Sequence, residues 1–258
     1  MDKQGRLEVL DLFAGAGGFT LAGEMSGGFV TKAFCEIDKY AQRVLRSNWP
    51  DVPVFDDVTK LRGVDVGAVD VITGGFPCQD VSMAGKQLGT IDGERSSLFR
   101  EILRIATEIG EIQGRKPWLL MENVGNLVRG GDGIWFAAVL HGLAEFGYDA
   151  EWHILPASYV GACHRRERVW IIAYPRQEQR EQRQREPIFR QSYISCEPAR
   201  GLARWSRRSD IPEPRTVRRN DGIPNLPHRI GLMGNAIVPQ VAACFMRAIR
   251  EAHEDSAK

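Results

Sequence analysis

The sequence predicts an α/β fold built on a doubly wound, mostly parallel sheet, and three observations carry that expectation. Short apolar runs recur, each stopping at glycine or an acid: Leu7–Phe13 before Ala14-Gly15-Ala16-Gly17-Gly18, Val69–Thr73 before Gly74-Gly75, and Trp118–Met121 before Glu122-Asn123. Such runs read as strands buried on both faces. Amphipathic stretches lie between them, and the residues able to do chemistry follow the strands, where an open parallel sheet holds its ligands.

Taken in order, the first strand and its glycine turn open a helix at Phe19–Met25. Strand, glycine turn and helix together bring backbone N–H groups to a nucleotide-like ligand. A second strand, Phe29–Glu36, delivers Glu36 about twenty residues beyond the glycines, the spacing at which a carboxylate meets ribose hydroxyls. Thr20 stands where the last glycine of a G-x-G-x-x-G pattern would be, so the turn supports a ribose-bearing cofactor but not a nicotinamide one. A helix is expected over Lys39–Asn48 and a short strand over Val52–Phe55, which would place Asp57 at the same edge, as a ligand contact or as a helix cap.

The strand Val69–Thr73 leads into Gly75-Phe76-Pro77-Cys78-Gln79. Pro77 fixes its own φ and keeps Phe76 extended, so a stiff turn presents the Cys78 thiol. A lone cysteine is more often a small buried hydrophobe; the surrounding residues favour a nucleophile. Residues 80–97 carry Gly85, Gly89 and Gly93 among mixed charges and read as a long loop able to close over a substrate. Leu98, Ile102, Ile105, Ile109 and Ile112 recur at helical spacing and predict core positions. After Trp118–Met121, Glu122 would sit at the sheet edge, paired or catalytic, because burying a bare charge is costly. A helix over Trp135–Phe146 and a strand over Tyr148–Leu155 follow. On the approach to the apolar strand Val169–Ala173, alternation puts Arg166 and Arg168 on one face and Arg165 and Glu167 on the other. An apolar helix, Val241–Ala252, closes the chain.

With 258 residues, 43% hydrophobic and 26% charged, the composition is that of one large globular domain with a small appendage, not of a disordered chain. Five scattered cysteines without a C-x-x-C pair argue for a reducing compartment and against disulfides or zinc; no metal is expected. No membrane-length apolar run or signal-peptide pattern is present, so a cytoplasmic protein without membrane contact is expected. Net charge is +1, yet residues 176–219 hold 12 Arg and no Lys against 6 acids, a local +6 that leaves −5 elsewhere. That window reads equally as a phosphate-binding surface or a solvated insertion.

Taken together, the blocks Asp11-Leu12-Phe13-Ala14-Gly15-Ala16-Gly17-Gly18, Glu36, Gly75–Gln79, Met121-Glu122-Asn123-Val124, Arg166-Glu167-Arg168 and Gly234-Asn235 through Pro239 resemble, in order, the cytosine-5 DNA methyltransferases. The resemblance covers residues 7–174 and 222–250, with Pro77-Cys78-Gln79 and Glu122-Asn123-Val124 its most specific parts. It implies a Rossmann-like, S-adenosyl-L-methionine-dependent methyltransferase fold with a small, irregular target-recognition region. The implied activity is methylation of cytosine carbon 5 in double-stranded DNA. Cys78 would add to carbon 6 of a flipped-out base, Glu122 would contact ring nitrogen 3 and the amine, Arg166 would anchor Glu122 and the base, and Arg168 would steady the Cys78 turn. Gln79, Ser82 and Asn123 are the implied substrate contacts.

For the cofactor the resemblance implies Phe13 against adenine, the backbone of Ala14, Gly15, Gly17 and Gly18 at the amino-acid end, Glu36 with Ile37 at the ribose, and Asp57 with Val58 at the adenine amine. Pro77, Leu98, Asn235, Ala236 and Ile237 would complete the pocket. Family members carry a sizeable recognition domain where this sequence has about fifty residues between Ala173 and Gly222. The expected division is a catalytic and cofactor domain at 1–174, a short basic recognition region at 175–221, and a returning segment at 222–258, with short or relaxed sequence specificity. A cytoplasmic, nucleoid-associated monomer of bacterial or phage type, with room for a cognate restriction endonuclease, fits the resemblance. Transfer RNA as substrate, or a weakly active or inactive DNA-binding relative, are the alternatives.

Overall fold

The computed structural model describes residues 1–2, 4–77, 97–162, 164–176, 187–190 and 236–256. Its centre is a seven-stranded sheet of β1 (Leu7–Leu12), β2 (Phe29–Cys35), β3 (Val54–Phe55), β4 (Val71–Gly74), β5 (Trp118–Val124), β6 (Tyr148–Pro156) and β7 (Glu167–Pro175), in the order β3-β2-β1-β4-β5-β7-β6. Strands β1 to β5 run parallel, and β7 is antiparallel to both its neighbours. The order reverses between β1 and β4, the switch point at which ligands bind in such sheets.

The apolar runs of β1, β4 and β5 fill both faces because helices cover both. Alternation sends Leu10, Leu12, Ile72, Leu119 and Met121 into one layer, against α4 (Ser97–Gln113) and α6 (Ile134–Glu145). It sends Leu7, Val9, Val71, Leu120 and Trp170 into the other, against α1 (Gly18–Ser26) and α7 (Pro239–Ser256). Helix α2 (Lys39–Asn48) spans the predicted residues, and Asp38 caps it by accepting from the N–H groups of Tyr40 and Ala41. Two short helices, α3 (Gly63–Val66) and α5 (Asn126–Arg129), carry too little periodicity to be seen in sequence.

Two expectations need correction. The third strand starts at Val54, two residues later than predicted: the Val52 N–H turns back to the Trp49 carbonyl, and Pro53, whose carbonyl accepts from the Phe34 N–H, has no N–H of its own to give to the ladder. Ile112 is 47% exposed: it lies in the last turn of α4, outside the core cluster that buries Ile102, Ile105 and Ile109. Of the loop assigned to residues 80–97, Ser97 is described and already opens α4; the rest of it and most of the arginine-rich window lie outside the described residues. No helix among the described residues is long and apolar enough to cross a membrane.

Candidate active site

The carboxyl edge around the switch point opens into a cleft of about 750 Å³, a size typical of cofactor pockets. Register explains its walls. Leu12, Gly74 and Met121 are level across β1, β4 and β5, so the next residues, Phe13, Gly75 and Glu122, emerge together. The cleft is lined by Phe13, Ala14, Gly15, Gly18, Glu36, Ile37, Asp57, Val58, Pro77 and Leu98. Glu122, Asn123, Arg166, Arg168, Ala236 and Ile237 complete that wall. Gly17 does not line it; a side chain there would run into the Trp49 ring. Cys78, Gln79, Ser82 and Asn235 lie outside the described residues, Cys78 immediately after the cleft residue Pro77.

One end of the cleft is made by backbone. Phe13 and Gly15 both take positive φ, 52° and 55°, which turns the chain sharply out of β1. The Gly15 N–H donates to Glu36 Oε2 at 2.7 Å, and the Asp38 N–H donates to Oε1 at 2.8 Å, so Glu36 is fixed from both sides. Buried Gln42 donates to the Glu36 carbonyl at 2.6 Å and to Asp56 Oδ1 at 2.9 Å, fastening the next carboxylate beside it. Asp57 accepts from the hydroxyl and N–H of Thr59, which hold its carboxyl below the usual range. Ile37, 74% exposed, offers an apolar face among these acids. Carboxylate acceptors for hydroxyl and amine groups, a free glycine face and apolar walls fit an adenosyl group with an amino-acid tail. Ile237 packs against this turn: a Cβ on Gly18 would lie 2.6 Å from it.

The other end is made by charge. Glu122 pairs with Trp170 and Val124 with Arg168 in the antiparallel β5–β7 ladder, which makes Glu122 and Arg168 diagonal neighbours on one face. Arg168 Nε meets Glu122 Oε1 at 2.8 Å. Glu122 is 7% exposed, and burial pushes its carboxyl up to about 7 against the opposing pull of Arg168 and Arg166. Arg166, at φ 34°, donates to the Ala236 carbonyl at 2.7 Å. The resemblance gave the anchoring of Glu122 to Arg166; the ion pair at 2.8 Å comes from Arg168, while Arg166 ties the returning segment to the site. Asn123 donates to the Phe76 carbonyl at 2.8 Å and accepts from the Val124 N–H, so at the cleft wall it braces the Phe76-Pro77 turn.

Two residues escaped the sequence reading. Cys35 lines the cleft, but burial pushes its thiol up to about 12, leaving it a poor nucleophile. Asp11, fully buried, accepts from the hydroxyls of Thr73 (2.8 Å) and Thr20 (3.3 Å), and Thr20 shares a further bond with Thr31. Its signal was an acid at the apolar carboxyl end of β1, with Thr73 level on β4. Burial raises its carboxyl to about 7. Among the described residues, no group of three or more His, Cys, Asp or Glu could hold a metal.

A mostly parallel sheet with a cofactor-sized cleft at its switch point, and a buried acid held by arginine beside it, places the chain in the doubly wound α/β class with a ligand cleft at its carboxyl edge. The model of the C-5 cytosine-specific DNA methylase family matches residues 7–210, and the chain belongs to that family. It is 37% identical over 167 residues to the Type II methyltransferase M2.BsuMI of Bacillus subtilis, covering 65% of this chain and 42% of that protein. It is 36% identical over 169 residues to M.HhaI of Haemophilus parahaemolyticus, covering 65% and 49%. Among solved structures it resembles the Dnmt2 methyltransferase of S. pombe (TM-score 0.51, 22% identity, 67% of this chain and 51% of that one). A putative prophage DNA modification methyltransferase of E. coli also matches (TM-score 0.50, 26% identity, 66% and 47%). The chain thus spans about half the length of the proteins it matches.

Proposed function

We propose that this protein transfers a methyl group from S-adenosyl-L-methionine to carbon 5 of cytosine in duplex DNA, through a covalent bond from Cys78 to a flipped-out base. The observation that carries the reading is Glu122: a buried carboxyl pushed up to about 7, held by Arg168, and level with both the glycine turn and the strand that leads to Cys78.

The cofactor would be held by the Phe13–Gly18 turn, by Glu36 and Ile37 at the ribose, and by Asp57 and Val58 at the adenine. It supplies an electrophilic methyl group. Cytosine carbon 5 is a poor nucleophile, and a Cys78 thiolate adding at carbon 6 makes the ring an enamine. In its protonated form Glu122 donates to ring nitrogen 3 and withdraws electron density from the ring as the thiolate adds. Arg168 fixes the other face of that carboxyl, and Asn123 keeps the Phe76-Pro77 turn in register with it. After methyl transfer a base removes the carbon 5 proton and the Cys78 bond breaks by elimination. A base inside a stacked duplex cannot reach this cleft, so flipping is required.

The division into a catalytic part (1–174), a basic recognition part (175–221) and a returning part (222–258) belongs to the same reading, with the arginines on phosphates and short or relaxed sequence specificity. A cytoplasmic monomer working beside a cognate endonuclease belongs to the same reading, and the Type II names of its relatives bear on the restriction-modification setting alone. The test is methyl transfer from labelled cofactor to duplex DNA and to transfer RNA, with Cys78→Ala as control. Label at cytosine carbon 5 in DNA, lost in the variant, is expected; label in RNA alone would overturn the DNA assignment.

A further inference from the structure

Asp11 is fully buried in β1 and does not line the cleft. Its two carboxyl oxygens hold different elements. Oδ1 accepts from the Thr73 hydroxyl of β4 at 2.8 Å, and Oδ2 accepts from the Thr20 hydroxyl of α1 at 3.3 Å. Thr20 in turn shares a 2.8 Å bond with the Thr31 hydroxyl of β2. One carboxyl thus joins β1, β4, α1 and, through Thr20, β2. Its surroundings are otherwise apolar: Val9 and Val71, one pleat back on the same face of β1 and β4, are buried, as are Phe19 and Ala22 of α1. Apolar side chains of similar size would pack there, and the backbone ladder already pairs β1 with β4. The strands do not need this polar network to stay together. A fully bonded one selects a single arrangement of the parts that it joins.

Those parts shape the cleft. Asp11 is level with Thr73, and Leu12 with Gly74. Just beyond Asp11 the chain turns at Phe13, with φ 52°, and just beyond Thr73 it enters Gly75-Phe76-Pro77. Just before Thr20, Gly18 opens α1. Phe13, Gly18, Gly75, Phe76 and Pro77 all line the cleft. The carboxyl therefore stands behind the turn leaving β1, the turn leaving β4 and the first turn of α1 at once.

We propose that Asp11 is a positioning residue for methyl transfer: through Thr73 and Thr20 it locks the turn leaving β4 to the turn and helix leaving β1, and so sets the spacing between the two ends of the cleft. The role rests on the methyl-transfer reading above. Transfer requires donor sulfur, methyl carbon and ring carbon in line, so a small slip between the two turns slows the chemical step more than it weakens the binding of either ligand.

The test uses the full chain and compares wild type with Thr73→Val, which keeps the shape and removes the hydroxyl, and with Thr73→Ser, which keeps the hydroxyl. The readouts are kcat and cofactor KM on the polynucleotide that wild type methylates, affinity for S-adenosylhomocysteine, and thermal midpoint. Val71→Ala, on the same strand and in the same apolar layer, is the control for lost stability alone. Thr73→Val is expected to lower kcat about tenfold while cofactor KM and S-adenosylhomocysteine affinity stay within about twofold. Thr73→Ser should recover most of the rate, and Thr20→Val should act as Thr73→Val does but by less, its bond to Asp11 being the longer. Unchanged kcat in Thr73→Val would overturn the role, as would an equal loss in Val71→Ala or in Thr73→Ser. If Thr73→Val does not fold, unchanged kcat in Thr20→Val overturns it instead. Wild-type protein that binds S-adenosylhomocysteine but methylates neither duplex DNA nor transfer RNA would sink the methyl-transfer reading, and the role with it.

Discussion

The two ends of the cleft are built by different physics. At the end proposed for the cofactor, position is set by backbone: glycine conformations, N–H groups on Glu36, and close approach of Trp49 and Ile237 to the turn. At the end proposed for the base, position is set by charge, with Glu122 and Arg168 brought together by the antiparallel pairing of β5 and β7. The contrast teaches that the first end fails by steric change and the second by removal of a single hydrogen-bonding group, so substitutions should separate them cleanly.

The largest separation is expected from Cys78→Ala: methyl transfer abolished, with S-adenosylhomocysteine binding kept, because the cofactor end does not depend on the thiol. Calorimetric loss of cofactor binding together with activity would show that the two ends are not separable. Next comes Arg168→Lys. Lysine keeps the charge but cannot hold Glu122 with the fixed fork of a guanidinium. A drop of about 10²-fold in kcat, with KM for the cofactor little changed, is expected from the loss of one positioned donor at the reacting ring. An equal rise in the cofactor KM would break the comparison.

Much of this was legible in sequence because the two periodicities are strong. The runs at β1, β4 and β5 and the spacing along α2 and α4 needed only apolar pattern and a cap. The site was legible where a strand ends, as at Glu36 and Glu122, since the sheet edge follows from the strand. What was not legible depended on partners distant in sequence. Arg168 rather than Arg166 pairs with Glu122 at 2.8 Å because the β5–β7 register makes it the diagonal neighbour, and no local pattern encodes register between strands more than forty residues apart. Asn123 was expected at the substrate and does line the cleft, but its reach to the Phe76 carbonyl is visible only once β4 and β5 are adjacent. Asp11 was hidden because β1 carries two acids, and nothing in the string tells the half-buried Glu8 from the fully buried Asp11.

The cofactor end should answer instead to bulk. Gly17 caps α1 at φ 82°, and a methyl group there would meet the Trp49 ring. Gly17→Ala is expected to cost about 1–3 kcal/mol for the left-handed backbone alone. That should lower the thermal midpoint and weaken S-adenosylhomocysteine binding in the same variant. A stable Gly17→Ala protein with normal cofactor affinity would mean that the turn can move, and that backbone rigidity is not what defines this end.

The smallest effect expected is also the one that tests whether the two ends share an electrostatic fate. Asp11, under the glycine turn, and Glu122, at the base, both have carboxyls raised by burial to about 7. A carboxyl raised above its unfolded value keeps its proton in the folded state at pH values where the unfolded chain has released it. Stability is therefore greatest below about pH 4 on this account and declines as pH rises from about 4 to about 7, levelling off above that. The thermal midpoint should accordingly be higher at pH 5.5 than at pH 8. Asp11→Asn removes one of the two groups while its amide can still bond the hydroxyls of Thr73 and Thr20, so the difference between the two pH values should shrink. Glu122→Gln should shrink it as well, and should also flatten the alkaline limb of the methyl-transfer rate above pH 7, because the amide cannot lose the proton that the acid loses there. Asp11→Asn should leave that limb in place, since Asp11 does not line the cleft. A flattened rate limb in Asp11→Asn would mean that the carboxyl below the turn and the carboxyl at the base titrate as one unit.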